Sequence, residues 1–76
     1  MNNTRRSQIT ALMTKLEALQ ESIAAIQEEE EEAFENLPEG LQESERGQAM
    51  EEAANLLQDA VDSIEEALAA LEDAKA

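Results

Sequence analysis

The feature that most constrains this chain is a single helix-breaking segment between two long stretches with helical periodicity. Pro38 and Gly40 stand in the sequence NLPEGL, and the chain has no other proline. Proline removes an amide donor and disfavours helical geometry in the residue before it. Gly40 is expected to allow a left-handed turn. The sequence therefore predicts two helices joined by one connector over about residues 37–43.

The first segment has apolar residues at the alternating three- and four-residue spacing of a coiled-coil seam. These residues are Ile9, Leu12, Leu16, Leu19, Ile23 and Ile26. The seam weakens at the glutamate run of residues 28–32 and resumes at Leu37. Asn3 or Thr4 is the expected N-cap, because either side chain can accept a hydrogen bond from the first free amides. Helix 1 is predicted over about residues 4–36.

The second segment repeats every seven residues, as MEEAANL, LQDAVDS, IEEALAA and LEDAKA. Large apolar residues occupy the first position of each repeat, and alanines follow three residues later. Ala54, Val61 and Leu68 follow four residues after the large ones, so the apolar stripe is wider than that of helix 1. Ser44 is the expected N-cap. Helix 2 is predicted over about residues 44–74.

A connector of about seven residues favours antiparallel packing of neighbouring helices. Residues near 9 are then expected to face residues near 71, and residues near 30 to face residues near 50. The predicted fold class is all-α: an antiparallel two-helix hairpin with coiled-coil-like packing, forming a single domain over residues 1–76.

Chains shorter than about 70–80 residues usually need a covalent, metal or protein partner to support a small core. The sequence has no cysteine or histidine, so neither a disulfide nor a Cys/His metal site can serve. The wide stripe of helix 2 predicts self-association, most simply as a homodimeric four-helix bundle with twofold symmetry. The residues predicted to carry this contact are Leu57, Val61, Ile64 and Leu68.

The chain has 19 acidic residues against five basic ones, a formal net charge of −14. This balance opposes direct binding to nucleic acid, which depends on cations that neutralise phosphates, and it opposes binding to an anionic membrane. The sequence contains no apolar run of about 18 residues that would predict a membrane span. It also lacks the apolar core of a signal peptide. A soluble, cytoplasmic protein is expected.

The same residue inventory argues against an enzyme. Without histidine or cysteine the chain cannot form a Ser-His-Asp triad, a thiol nucleophile or a Glu-x-x-His di-iron site. Two helices are also expected to enclose no cleft large enough for a small-molecule site. The glutamates of residues 28–32 splay around a helix and are not part of a D-x-D-x-D-G calcium loop. No catalytic residue, metal site or cofactor is therefore expected.

Two features near the connector invite a structural interpretation. Glu30 occupies an inward position of the seam, and Arg46 is its expected ion-pair partner. Three apolar residues flank the proline: Phe34, Leu37 and Leu41. They are expected to form a hydrophobic plug that closes the hairpin, with Phe34 over the space left by Gly47. The alternative is an exposed anchor for a partner.

The acid is concentrated in residues 28–73, which hold 17 acidic residues and one basic residue, Arg46. Regularly spaced carboxylates on a stiff helical rod can imitate a nucleic-acid backbone and occupy a basic groove of another protein. The alternative is that the acid serves solubility and limits further association. The residues predicted to contact a partner are Glu28, Glu29, Glu31, Glu32, Glu35, Glu51, Glu52 and Asp59.

The connector and the acidic heptads after it resemble a group of short acidic helical proteins encoded in bacterial genomes, prophages and other mobile elements. The resemblance covers about residues 28–72 and is carried by the motifs NLPEGLQ, at residues 36–42, and SERG, at residues 44–47. It implies a phage or mobile-element setting in a bacterial host cell. In that setting small acidic proteins commonly inhibit defence nucleases such as CRISPR effectors. The resemblance supplies no catalytic residues.

These features predict a non-enzymatic acidic protein-binding module, an anti-CRISPR-like inhibitor that mimics nucleic acid and blocks a basic site on a host defence protein. The competing class is a self-associating structural or assembly protein, a scaffold or complex subunit, whose apolar stripes carry the interface. Binding that weakens with salt favours the first class, and binding that tolerates salt favours the second.

Overall fold

The chain folds into two long antiparallel helices joined by a short helical connector. In the computed structural model, which describes all 76 residues, α1 spans Asn3–Glu35, α2 spans Glu39–Gln42 and α3 spans Glu45–Lys75. α1 packs along α3, and the rod measures 58 × 15 × 12 Å along its principal axes. The predicted all-α antiparallel hairpin is confirmed, and each long helix is displaced by one residue from its predicted bounds.

Side-chain oxygens cap the start of both long helices. The Oδ1 atom of Asn2 accepts a hydrogen bond from the Arg5 amide at 2.8 Å, so this cap lies just before the two residues predicted for it. The Oγ atom of Ser44 accepts a hydrogen bond from the Gly47 amide at 3.3 Å, as predicted. Each cap satisfies an amide that the helix itself leaves unpaired.

The connector turns through Pro38 and α2 rather than through a left-handed glycine. Pro38 has φ −55° and ψ 145°, an extended geometry, and it directly precedes α2. Gly40 lies within α2, and no glycine of the chain has a positive φ. The left-handed turn predicted at Gly40 is therefore wrong, because the residues after the proline resume a helical conformation.

Gln42, the last residue of α2, joins the connector to the end of α1. Its Nε2 atom donates to the carbonyl oxygens of Phe34 at 3.4 Å and Leu37 at 3.2 Å. The last carbonyls of a helix have no intrahelical amide to accept from, and no basic residue lies in the last turn of α1. The Gln42 amide therefore supplies a further donor at the end of α1, where the Leu37 amide also donates to the Phe34 carbonyl at 3.1 Å.

α3 begins so close to the connector that Gly47 cannot carry a side chain. A Cβ atom built on Gly47 would lie 2.6 Å from the carbonyl oxygen of Leu41 and closer still to that of Gln42. The space beside Gly47 is thus filled by connector backbone, and the prediction that Phe34 covers it is wrong. Glycine is used here because two backbone segments meet at van der Waals distance.

Only part of the apolar seam predicted for α1 faces α3. Ile9, Leu16 and Ile23 are half-buried along the helix interface, as predicted. The other three residues of the predicted seam are exposed: Leu12, Leu19 and Ile26 leave 52%, 57% and 53% of their surface accessible. The second row of the interface is formed one position further along the chain, by Met13, Gln20, Gln27 and Phe34.

This rotation of α1 follows from the width of its apolar stripe. Three neighbouring rows of α1 carry apolar residues, but a helix presses only about two rows against a single partner helix. The rows that face α3 half-bury Met13 and Phe34 and allow Gln20 and Gln27 to hydrogen-bond to α3. The third row, defined by Leu12, Leu19 and Ile26, remains on the surface beside the interface.

Two glutamine side chains fix the register of the hairpin. The Nε2 atom of Gln20 donates to the carbonyl oxygen of Val61 at 3.1 Å and to a carboxylate oxygen of Glu65 at 2.9 Å. The Nε2 atom of Gln27 donates to the Oε1 atom of Gln58 at 2.7 Å. These pairs give a register within about one helical turn of the predicted one.

The two long helices are also tied together at the end of the rod away from the connector, called the open end below. The Nε atom of Arg6 donates to the carbonyl oxygen of Lys75 at 3.0 Å, so a side chain of α1 caps the end of α3. The Nζ atom of Lys75 donates to the Oγ1 atom of Thr10 at 3.1 Å and forms an ion pair with Glu72 at 3.5 Å. Cations at this end also interact favourably with the dipole of α3.

The core of the single hairpin is small. Gly47, Ala54 and Leu68 are its buried residues, and no large side chain is fully enclosed. Burial of apolar surface stabilises a fold by about 25 cal/mol per Å². A hairpin whose large apolar side chains are mostly half-exposed therefore gains little from its own packing.

We expect Gly47→Ala to destabilise the hairpin and Gly40→Ala to leave it unchanged or slightly more stable. The added methyl group at Gly47 overlaps connector carbonyls and should cost about 1–3 kcal/mol, whereas nothing lies within 4 Å of a Cβ atom at Gly40. Replacing an unconstrained helical glycine by alanine otherwise gains about 0.5–1 kcal/mol. Urea unfolding followed by circular dichroism measures both variants. Equal stability of the two would contradict the close approach at Gly47.

Candidate partner-binding surface

One long side of the rod is lined with carboxylates from both helices. In each helix several inward-facing residues of the interface are followed by a glutamate. A residue one position after an inward one lies about 100° around the helix, and antiparallel packing brings these positions of both helices to the same side. We call this side the acidic flank, and its glutamates are Glu17, Glu31, Glu51, Glu65 and Glu72.

Near the connector the acidic flank forms a depression between the helices. The depression is lined by Glu31, Phe34, Glu35, Glu51, Ala54 and Asn55. Three carboxylates from two helices thus surround an apolar surface made by one aromatic ring and one alanine. Such a surface suits a lysine or arginine side chain, which carries a charged head on an apolar stem.

A second depression lies further along the flank, toward the open end. It is lined by Met13, Glu17, Gln20, Glu21, Glu65, Leu68, Ala69 and Glu72. Its four glutamates were not predicted to contact a partner. A sequence pattern that could have identified them is a glutamate directly after an inward-facing residue. Using this pattern requires knowing which rows of each helix face inward.

All eight acidic residues predicted to contact a partner are exposed: Glu28, Glu29, Glu31, Glu32, Glu35, Glu51, Glu52 and Asp59. The structure brings Glu31, Glu35 and Glu51 together at the depression near the connector, and Glu52 lies beside Glu51 along α3. The other four are spread around the outer surfaces of the helices, because successive helical residues are rotated by about 100°. The predicted residues therefore surround the rod rather than forming one patch.

Almost none of the acid is neutralised within the chain. The pair between Lys75 and Glu72 is the one salt bridge of the hairpin. The ion pair predicted between Glu30 and Arg46 is wrong. Arg46 is exposed in the first turn of α3 and level with the connector, whereas Glu30 is half-buried more than a turn before the end of α1.

The charge is graded along the rod. Residues 20–60, which form the half containing the connector and are called the turn end below, hold 13 acidic residues and one basic residue. The remaining residues hold six acidic and four basic ones. Over the 58 Å rod the acidic residues amount to one per about 3 Å, close to the 3.4 Å charge spacing of a single DNA strand.

The acid at the turn end opposes the dipole of α1. Glu32 and Glu35 lie in the last turn of α1, where the helix carries a partial negative charge, and no basic residue lies in that turn. Each such charge costs roughly 0.3–1 kcal/mol at low ionic strength. The acid at the end of α1 is therefore not arranged for the greatest stability of that helix, whereas Glu39 and Glu45 lie in the first turns of α2 and α3, where negative charge is favourable.

The carboxylates do not converge on a metal site. No group of three or more acidic side chains is placed to hold a metal ion. The five glutamates of residues 28–32 point in different directions around α1 because they are consecutive in a helix.

The four residues predicted to carry self-association lie within the hairpin. Leu68 is buried, and Leu57, Val61 and Ile64 are half-buried against α1. The apolar stripe of α3 thus packs against α1 of the same chain. The large apolar side chains left exposed on the two long helices are Leu12, Leu19, Ile26 and Leu56.

The apolar residues around the proline close the hairpin only in part. Phe34 and Leu37 are half-buried, whereas Leu41 leaves 52% of its surface exposed. Two of the three residues predicted to form the plug therefore pack at the end of the helix interface, and the third lies on the surface of α2.

No protein-family model, curated protein or solved structure matches this chain. Neither long helix contains a stretch apolar enough to cross a lipid bilayer. The candidate surface is therefore defined by the chain's own geometry: an acidic flank that is densest at the turn end.

We expect the double variant Glu32→Gln with Glu35→Gln to be more stable than the native chain. Removing two charges that oppose the α1 dipole should gain about 0.5–2 kcal/mol at low ionic strength, and the gain should shrink at about 1 M salt. The matched control is Glu17→Gln with Glu66→Gln, which removes one exposed charge from the interior of each long helix. Thermal unfolding at two salt concentrations measures both. A larger gain in the control would refute the dipole argument.

Proposed function

We propose that this protein is a non-enzymatic binding module whose acidic turn end binds a basic surface of another protein and displaces nucleic acid from it. In the bacterial and phage setting that the connector motifs imply, the bound protein is a host defence protein, and the role is anti-CRISPR-like inhibition. The proposal rests chiefly on one observation: the turn end holds 13 acidic residues against a single exposed arginine, which forms no ion pair.

The spacing and stiffness of this charge support mimicry. Carboxylates occur along the rod about as densely as phosphates along one nucleic-acid strand, and long helices hold them in fixed positions. A cationic groove that binds nucleic acid attracts such a rod over distances of about a Debye length, roughly 8 Å at physiological salt. Electrostatic complementarity of this kind raises the association rate and the specificity of binding.

The cost of the acid to the chain's own stability is a second support. Glu32 and Glu35 lie at the negative end of the α1 dipole, where like charge is unfavourable, and no ion pair within the chain offsets them. A cationic partner would relieve this repulsion on binding, so the same charges that weaken the free hairpin strengthen the complex. Destabilising features of this kind are common at functional sites.

The absence of an enzymatic role is part of the same proposal. The two depressions between the helices are lined by carboxylates, amides and apolar side chains, and the chain has no histidine or cysteine. This set lacks the usual nucleophile and base pair of covalent catalysis.

A self-associating structural protein is the second candidate, favoured by the exposed row of Leu12, Leu19 and Ile26. In that case apolar contacts carry the biological interface and the acid only limits further assembly. Salt separates the two candidates, since electrostatic binding weakens with ionic strength and apolar binding does not.

The proposed function is tested with two variants of equal net charge. The turn-end variant carries Glu31→Gln, Glu35→Gln, Glu51→Gln and Glu52→Gln, and the open-end variant carries Glu17→Gln, Glu65→Gln, Glu66→Gln and Glu72→Gln. Each immobilised protein is incubated with bacterial lysate, and bound proteins are released with double-stranded DNA and identified by mass spectrometry. We expect nucleic-acid-binding proteins on the native chain at about 50 mM salt and their loss at about 500 mM.

The turn-end variant should retain these proteins at least about tenfold less well than the native chain, and the open-end variant should retain them nearly as well. Circular dichroism confirms that both variants remain helical. Equal losses from the two variants would indicate net charge rather than a site. Undiminished binding by the turn-end variant would refute mimicry.

A further inference from the structure

The exposed apolar row of α1 continues onto α3 as one face of the rod. Leu12, Leu19 and Ile26 stand three residues after inward-facing residues of α1, and a row of alanines stands three residues after inward-facing residues of α3. In both helices, the residue one position after such an inward residue lies on the acidic flank. The residue three positions after it is rotated by about 300° and lies on the opposite side of the interface. This apolar face consists of Leu12, Leu19, Ile26, Ala33, Ala53, Ala60, Ala67 and Ala74.

The broad side of the rod that carries the apolar face is long and wide enough for a stable protein interface. The rod is 58 Å long and 15 Å wide, which gives each broad side an area of roughly 870 Å², and standard protein interfaces bury about 800 Å² per partner. The hairpin alone buries only three residues. Covering this face would complete a core that the single chain leaves open.

The composition of the apolar face indicates which kind of molecule can cover it. The eight residues are uncharged and include no aromatic side chain, so they offer nothing to a nucleic acid. A membrane-surface helix uses aromatic residues and many cations around its apolar side, whereas this face has no aromatic residue and only Arg5, Lys15 and Arg46 extend or border it, in a chain of net charge −14. An identical apolar face fits, because the acidic flanks of both copies then point away from the contact and into solvent.

The spacing of the large side chains is self-complementary. Leu19 is the middle residue of α1, and Leu12 and Ile26 lie seven residues to either side of it. A twofold axis through Leu19, perpendicular to the rod, places Leu19 against its own symmetry mate and Leu12 against Ile26 of the second copy. The alanine rows of the two α3 helices then face each other, where small side chains permit close approach.

The charges favour this antiparallel arrangement of two hairpins. It puts the two turn ends at opposite ends of the assembly, which separates their acid. Arg5 stands seven residues before Leu12 in the same row, and it forms no ion pair within the chain. In the antiparallel arrangement Arg5 lies opposite Ala33 of the second copy, beside the glutamate run of residues 28–32.

We propose that a second copy of this chain covers the apolar face, forming an antiparallel four-helix bundle with Leu19 on its twofold axis. The large rows of α1 meet across the axis, and the acidic flanks remain on the outside. The inference assigns self-association to Leu12, Leu19 and Ile26, whereas the residues predicted for it face the chain's own α1. It is independent of the proposed function, because it concerns the opposite side of the rod.

Sedimentation equilibrium at about 150 mM salt and tens of micromolar protein tests the occupant. The native chain should be a dimer, and Leu12→Gln with Leu19→Gln and Ile26→Gln should weaken association at least about 100-fold. The matched control is Glu17→Gln with Glu31→Gln and Glu65→Gln, three substitutions on the acidic flank, and it should remain dimeric. A monomeric native chain, or a dimeric variant of the apolar row, would overturn the proposal.

Disulfide formation tests the arrangement without relying on the folding of a triple variant. The chain has no native cysteine, so Leu19→Cys introduces the only thiol. On a twofold axis this thiol meets its symmetry mate, and the chain should form a covalent dimer in a glutathione redox buffer. Ala18→Cys, the neighbouring exposed position, should stay reduced. A Leu19→Cys chain that stays reduced would refute the antiparallel arrangement. A disulfide formed between a Leu19→Cys chain and an Ala60→Cys chain, when the two are mixed, would also refute it.

Discussion

The structure depends on how many apolar rows a helix can press against one neighbour. α1 carries three adjacent rows and has one partner within the chain, so one row must stay outside. The row with Met13 and Phe34 faces α3, and Gln20 and Gln27 of that row hydrogen-bond across the interface. This single rotation of α1 places the leucines on one side of the rod and the interhelical depressions of the acidic flank on the other.

Much of the fold follows from the sequence because helix periodicity and helix ends are local properties. The hairpin, the approximate register and the cap at Ser44 were all predictable. The rotation of α1 was not, since a heptad pattern gives the spacing of apolar residues and leaves open which of two adjacent rows meets the partner. With Leu19 outside and Gln20 inside, the Gln20 side chain hydrogen-bonds to α3, a contact between distant residues that no local pattern contains.

The connector also has contacts that local sequence patterns could not predict. Pro38 predicted the break, but the role of Gly47 depends on backbone from α2 passing beside it. Gln42 reaches back to the end of α1 across several residues. The expected pair of Glu30 and Arg46 failed because nearness along a folded hairpin does not ensure that two side chains point toward each other. For the candidate site, the sequence predicted exposed acid correctly, whereas its arrangement into two depressions required the rotation of α1.

The gradient of charge also gives the rod a large electric dipole moment along its long axis. A molecule with this moment experiences a torque in the field of a cationic surface, which turns the connector toward that surface before contact. First encounters with such a surface are then biased toward residues around Pro38. Orientation by the field therefore removes much of the rotational search that limits association between proteins.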